Sequence, residues 1–377
     1  MYLEKELVGI AKRENNQKRK YLVVNKLQGK HIPVKPLDAL TLFDTLAELL
    51  KKSYEGEKLL LVGFAETATA IGAKAAVALN CAYMQTTREI IPNVQYLFFS
   101  ESHSHATEQK LVKDDLDIIL NQIDRIIFIE DEVTTGNTIK NIIHLIQEEY
   151  GKEKVTFSIA SILNGMNLEA VTEFENSDIP LHFLVKTDHS NYEKIAMNYV
   201  EDGEYEPYVE DTKMKECEAE YSYTEWKFSG YQDARRLVFG QSYQEACVQL
   251  WNSMKQIRNE TKKQHILVLG TEEFMFPALY VAGEMEKLGN EVRFHATTRS
   301  PIAVSKETEY PLHHRFELRS LYESQRITYV YELEKYDVCY IITDASEKES
   351  SKGMASLQEA IHSAGNCKIN VIRWCKE

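Results

Sequence analysis

The sequence predicts an α/β chain, a parallel sheet with helices on both faces, followed by a second, smaller α/β unit. Three observations carry this. Between Leu59 and Val185, short apolar runs alternate with stretches whose apolar residues recur at helical spacing. Twice in that span, after Leu59–Val62 and after Ile126–Ile129, an apolar run ends in a short polar loop that opens a helix. Such loops lie at the carboxyl ends of parallel strands, where doubly wound sheets bind ligands. The same alternation resumes at His265 and runs to Trp374. The expected division is 1–200 for the first domain with an N-terminal hood, 201–240 for a connection, and 241–377 for the second domain.

The elements follow in order. Basic residues Lys12, Arg13, Lys18, Arg19 and Lys20 precede a strand-like run, Tyr21 to Val24. Charge this dense suits a solvated loop, or a hood closing over an anion. Leu37 to Lys52 predicts an amphipathic helix. Leu59 to Val62 predicts a buried strand, Gly63 to Thr69 a loop, Ala70 to Leu79 an Ala-rich helix, and Cys81 to Thr86 a strand. Arg88 follows, placed to meet a diphosphate bidentately or to lie on the surface. Tyr96 to Phe99 is apolar. Ser100 to Glu108 then has polar side chains and no core pattern, with His103 and His105 at a spacing that also suits a metal on a strand. A mobile loop, a metal site without an evident third ligand, and a plain solvated loop all remain open here.

Ile126 to Ile129 predicts the strand around which the chain is organised. Glu130 and Asp131 stand at its end, then the hydroxyl-rich turn Thr134-Thr135-Gly136-Asn137-Thr138, then a helix from Ile139 to Glu149. Amide groups at a tight turn and helix start cradle an anion, and threonine hydroxyls add donors. Gly136 allows close backbone approach or positive φ. Adjacent carboxylates accept hydrogen bonds from vicinal sugar hydroxyls. A ligand with a phosphate at one end and a cis-diol at the other fits both halves. Thr156 to Leu163 and Leu181 to Val185 predict further strands.

This run resembles the PRPP-binding signature of the type I phosphoribosyltransferases: a hydrophobic strand, two acids, three residues, then Thr-Gly-x-Thr. The resemblance implies that Glu130 and Asp131 hold the ribose hydroxyls and that Thr134, Thr135, Gly136, Asn137 and Thr138 hold the 5′-phosphate. Glu132 departs from the pattern, which usually has a neutral or apolar residue there. It further implies that Gly63, Phe64, Ala65, Glu66 and Thr67 receive pyrophosphate with Arg88, on a loop that in the family often carries a cis non-proline peptide. The His103–His105 segment stands where the family has its flexible catalytic loop. Magnesium is the implied cofactor, bridging diphosphate and ribose oxygens. The implied reaction joins a nucleobase-like nitrogen to C1 of PRPP with release of pyrophosphate, or runs in reverse. A PRPP- or nucleotide-sensing protein on the same fold is the alternative, since fold alone does not settle activity.

Composition bounds the partners. The 377 residues carry a net charge of −14, with 27% charged and 44% hydrophobic residues. So acidic a chain argues against a nucleic-acid binder. No apolar run approaches membrane-spanning length, and the six scattered cysteines read as reduced thiols in a cytoplasmic protein. The expected ligands are PRPP and a nucleobase-like molecule, with no nucleic acid and no membrane. A homodimer is left open.

Glu201 to Glu225, acidic and rich in tyrosine, reads as a connection. Arg235 and Arg236 suit a phosphate or an exposed charge pair. In the second unit Gly270 and Glu273 repeat the spacing of Gly63 and Glu66, and Thr297-Thr298-Arg299 repeats Thr86-Thr87-Arg88. An internal duplication is therefore expected, with generic α/β alternation as the competing account. Gly270, Glu273, Thr298, Arg299 and Ser300 form a candidate anion corner. The Thr298-Arg299-Ser300-Pro301 run resembles the marker of the TRSP domain. That domain follows orotate-transferase-like domains in tellurite-resistance-type gene clusters, so partners from such a cluster also stay open. Thr343-Asp344-Ala345 has one matching acid and no Thr-Gly, so no PRPP chemistry is expected in this unit.

Overall fold

A computed structural model describes residues 2–14, 19–99, 109–209, 222–257 and 263–374. The chain begins with α1 (Glu4–Leu7), the antiparallel hairpin β1 (Val8–Lys12) and β2 (Tyr21–Asn25), and α2 (Pro36–Ser53). Then come β3 (Leu59–Gly63), α3 (Thr69–Leu79), β4 (Ala82–Gln85), an antiparallel pair β5 (Tyr96–Phe99) and β6 (Gln109–Val112), and α4 (Lys113–Ile119). Next are β7 (Arg125–Val133), α5 (Asn137–Tyr150), β8 (Thr156–Asn164), α6 (Leu168–Asn176) and β9 (Leu181–Lys186). A 3-10 turn at His189–Asn191 leads to α7 (Tyr192–Asn198), β10 (Glu204–Glu206), β11 (Ser222–Phe228), β12 (Val238–Phe239) and α8 (Gly240–Ile257). The last stretch holds β13 (His265–Gly270), α9 (Phe276–Lys287), β14 (Glu291–Ala296), β15 (His314–Arg319), β16 (Ile327–Tyr331), β17 (Val338–Thr343), α10 (Glu347–Ser363) and β18 (Lys368–Trp374).

Two compact units result, each assembled from separate stretches. Unit 1 comprises Met1–Glu4, Thr41–His189 and Gln232–Glu245; unit 2 comprises Lys5–Leu40, Ser190–Tyr231 and Ala246–Glu377. The N-terminal segment expected as a hood thus packs within unit 2. So does the stretch read as a connection: β10 pairs with β15 and β11 with β18.

Unit 1 is built on a six-stranded sheet in the order β12-β4-β3-β7-β8-β9. Its strands are parallel except the short edge strand β12, which runs antiparallel to β4. β3 is buried throughout, as its unbroken Leu-Leu-Leu-Val-Gly run requires of a central parallel strand. The chain goes from β3 outward to β4 and then returns to β7 on the other side. Right-handed crossovers make that reversal place helices on both faces and open a crevice between the carboxyl ends of β3 and β7. α3 packs closely because it is lined with Ala and Gly. A Cβ on Gly72 would lie 2.8 Å from the Tyr83 ring.

Unit 2 has a five-stranded sheet, β11-β18-β17-β13-β14, all parallel, and a three-stranded sheet, β10-β15-β16. Leu267, Leu269, Ile341, Leu357 and Val371 anchor one buried cluster with Phe316 and Val330. Lys30 is fully buried and donates to the carbonyls of Glu272 (2.6 Å) and Thr297 (2.8 Å). Cys81, Cys247 and Cys339 are free, but Cys367 is disulfide-bonded, which departs from the expectation of six reduced thiols. No helix among the described residues is long and apolar enough to cross a membrane.

Candidate active site

In unit 1 the loop after β3 meets the carboxyl end of β7. β7 runs past the predicted Ile126–Ile129 as far as Val133, so Glu130, Asp131 and Glu132 are strand residues. β3 stops alongside Ile129, while β8 stays paired with β7 to Val133. The three acids therefore project beyond the end of β3, half-buried, beside the loop that leaves it. Thr67 on that loop donates its hydroxyl to Asp131 Oδ1 at 2.7 Å, joining the two predicted site segments. Burial pushes the Asp131 carboxyl up to about 6, the Thr67 hydrogen bond opposes the shift, and the neighbouring Glu132 charge adds to it.

The turn after β7 suits an anion. α5 opens at Asn137, two residues before the predicted start, with Gly136 as its N-cap at φ 68°. Gly136 has no side chain to satisfy the first amides of the helix, and its first turn has no acid. Only glycine fits: a Cβ there would stand 2.5 Å from the Phe174 ring and 2.9 Å from Met166 Cε. Thr134, Thr135 and Thr138 are half-buried around this opening, and Asn137 is exposed.

The loop after β3 is more committed to the protein than expected. The Ala65–Glu66 peptide is cis. The Phe64 amide donates to Ile129 O (3.0 Å) and the Ala65 amide to Thr86 Oγ1 (2.8 Å), so these two amides do not face a ligand as predicted. The Phe64 ring is core, packed edge-on against Phe99 and Phe128. Gly63 is required by closeness, since a Cβ would lie 2.6 Å from Tyr83 Oη. Arg88 is half-buried, and its carbonyl accepts from Lys110 Nζ at 3.1 Å. His103 and His105 lie outside the described residues. Among the described residues no cluster of three or more His, Cys, Asp or Glu could hold a metal ion.

Residues 7–189 match the family model for phosphoribosyl transferase, and residues 239–361 match that for the TRSP domain, described as lying C-terminal to it. Residues 7–189 thus form a phosphoribosyl transferase domain, and residues 239–361 the TRSP domain that follows it. No curated protein matches the chain. Similar solved structures include adenine phosphoribosyl transferase from Trypanosoma brucei in complex with AMP, pyrophosphate and ribose-5-phosphate, at 15% identity over 48% of this chain and 77% of that one, TM-score 0.34. Adenine phosphoribosyltransferase from Rhodothermus marinus has 16% identity over 48% and 96%, TM-score 0.34. A hypoxanthine phosphoribosyltransferase from Staphylococcus aureus has 18% over 43% and 79%, TM-score 0.27. Likenesses this distant say nothing about the acceptor.

Two features of the transferase were not read from its sequence. Glu132, the departure from the signature, has a partner: His189 Nε2 lies 3.3 Å from its carboxylate and 2.8 Å from Thr187 Oγ1. His189 in turn sits tightly on Gly165, where a Cβ would be 2.3 Å from its ring. The second feature is Gln109, the first residue of β6. It is buried, accepts from Thr86 Oγ1 at 2.5 Å and donates to Ala65 O at 3.1 Å. Gln109 thus ties the base of the β5–β6 pair to the loop after β3. Changing Gln109→Leu in the transferase strands a buried carbonyl and a hydroxyl, so chemical denaturation should show a loss of about 1–3 kcal/mol. An unchanged midpoint would mean that the network relaxes without cost.

Elsewhere the predicted charges find structural partners. Arg236 grips the buried Asp115 through two bonds, 2.6 and 2.8 Å, rather than offering itself to a phosphate. Arg235 is buried against Asp233. In unit 2 Arg299 is bound to Glu272 (2.8 Å) and Glu273 (3.2 Å), so the predicted anion corner already contains carboxylates. Thr298 pairs with Tyr329, and the Ser300 amide donates to Thr298 Oγ1 at 3.2 Å.

Proposed function

We propose that the protein transfers the 5-phosphoribosyl group between PRPP and a nitrogen of a nucleobase-like acceptor, with pyrophosphate as the other product or substrate. One observation carries this reading: only residues 134–136 separate the acid-bearing end of β7 from the glycine-capped opening of α5. The acids and the opening suit a sugar diol and its 5′-phosphate. Glu130 and Asp131 accept from the ribose hydroxyls, and Thr67 fixes the orientation of Asp131. Threonine hydroxyls and the first amides of α5 take the phosphate. In the forward direction the C1–O bond to diphosphate breaks, the C1–N bond forms, and the acceptor nitrogen gives up its proton. The transition state is cationic at C1, so the protein's task is to position the partners and exclude water.

Magnesium fits this donor set. The strand-end carboxylates are hard oxygen donors, and together with substrate oxygens and water they would hold the ion. When bound it would neutralise charge on the diphosphate. The test is release of pyrophosphate from PRPP and magnesium with a panel of purine, pyrimidine and related bases. Base-dependent release is the expected result. PRPP binding without release for any base would turn the reading to a PRPP-sensing protein, and no PRPP binding would overturn both.

A further inference from the structure

The two units wind their sheets the same way. The order β4-β3-β7-β8 in unit 1 is matched by β14-β13-β17-β18 in unit 2. Each unit inserts an antiparallel pair at the same point, β5–β6 before β7 and β15–β16 before β17. The loops share a set of contacts, although the cis peptide at Ala65–Glu66 has no counterpart at Glu272–Glu273 and the positive φ of Glu272 none at Ala65. Thr86 N donates to Gly63 O at 2.9 Å, and Thr297 N to Gly270 O at 3.2 Å. Thr86 Oγ1 accepts from Ala65 N at 2.8 Å, and Thr297 Oγ1 from Glu272 N at 3.0 Å. Thr87 bridges to Lys110 of β6, and Thr298 to Tyr329 of β16. These bonds set the correspondence: Gly63 with Gly270, Ala65 with Glu272, Arg88 with Arg299.

At one of those positions unit 1 has a methyl group and unit 2 a carboxylate. The Glu272 side chain is fully buried. It accepts from Ser320 Oγ (2.6 Å), Arg299 Nε (2.8 Å) and Arg326 Nη1 (2.9 Å). Two guanidiniums and a hydroxyl converging on one point are the donors that recognise a phosphate-class anion. The buried ammonium of Lys30 lies on the same residue's carbonyl, 2.6 Å away. Glu272 holds this place at φ 49°, a backbone conformation that suits glycine better than any residue with a side chain. Unit 2 also lacks the open turn. Ser346 caps α10, accepting from Glu349 N, and Glu347 and Glu349 lie in its first turn. Two acids there repel a 5′-phosphate.

We propose that the C-terminal unit is a second transferase-type core whose leaving-group pocket is shut by its own Glu272, a tethered carboxylate in the place of a pyrophosphate-class anion. The proposal rests on the reading of unit 1 only for the name of that anion; the donors around Glu272 stand without it. The test uses the full chain carrying Glu272→Gly, which removes the carboxylate and suits the positive φ, and titrates inorganic pyrophosphate by calorimetry. The count of bound pyrophosphate should rise from one per chain in the unaltered protein to two. Adding Arg299→Ala should return it to one. A rise from zero to one would sink the reading of unit 1 and keep this proposal. An equal count in both proteins, with the variant folded, overturns it. If Glu272→Gly does not fold, Glu272→Gln in millimolar pyrophosphate takes its place. A folded Gln variant with an additional bound anion supports the proposal. One without it, or failure of both variants to fold even with the anion present, makes Glu272 purely structural.

Discussion

Changing Asp131→Asn should lower turnover at least tenfold while making the unliganded protein more stable at pH 7 to 8. The two effects have one source. Burial holds the Asp131 carboxyl at about 6, above the ordinary aspartate value of about 3.9. A carboxyl raised on folding favours the native state below its unfolded pKa, and that advantage is lost as pH rises through about 6. At neutral pH its charge is therefore a net cost of about 2–3 kcal/mol, which asparagine removes. The same charge accepts the ribose hydroxyls, and each charged hydrogen bond lost is worth roughly 1.5–3 kcal/mol. Pyrophosphate release and thermal melts between pH 5 and 8 check both halves. Unaltered protein should lose PRPP affinity as pH falls through about 6, and the Asn variant should show a flatter profile. Full turnover in the variant would remove Asp131 from the site. A variant less stable at pH 8 would mean that the Thr67 bond outweighs burial.

Gly136→Ala should give the second large effect. Alanine at φ 68° is strained by roughly 1 kcal/mol, and the added Cβ would stand 2.5 Å from the buried Phe174 ring. Overpacking of this kind adds about 1–3 kcal/mol. The turn must shift, and the amides at the start of α5 shift with it. The expected outcome is a denaturation midpoint lowered by that sum and a KM for PRPP raised tenfold or more. The double variant with Phe174→Leu should recover part of the stability. A KM for PRPP that stays put while stability falls would show that the phosphate lies elsewhere.

How much of this was legible depends on how far apart the partners are in the chain. The signature of unit 1 was readable because strand, acids and turn are consecutive, and the strand-loop-helix order alone places them at a sheet's carboxyl edge. The pairing of Glu132 with His189 was not, since nothing near Glu132 in sequence announces a histidine from beyond β9. The burial of Lys30 escaped for a related reason: the carbonyls that receive its ammonium belong to residues far along the chain. The stretch from Glu201 to Glu225 read as a connection because β11 is an edge strand. Its residues are mostly exposed, so composition shows polarity where structure shows pairing with β18. The hairpin β15–β16 escaped because its burial is shared with α10 and the main sheet, which no short window of sequence displays.

The interleaving of the two units bears on how the protein can be taken apart. The chain leaves and re-enters each unit, so neither is a stretch that scissors could free. A fragment ending at residue 189 has every residue of the signature but lacks β12, which pairs with the edge strand β4 through Val238 and Phe239. A fragment beginning at residue 239 keeps Glu272 and loses Lys30, whose ammonium rests on that residue's carbonyl. Each severed piece would expose surface that its missing stretch covers, and insolubility of either half would reveal nothing about its chemistry. Evolution faces the same constraint as the experimenter. A chain that crosses from one unit to the other several times cannot shed either unit by a single truncation.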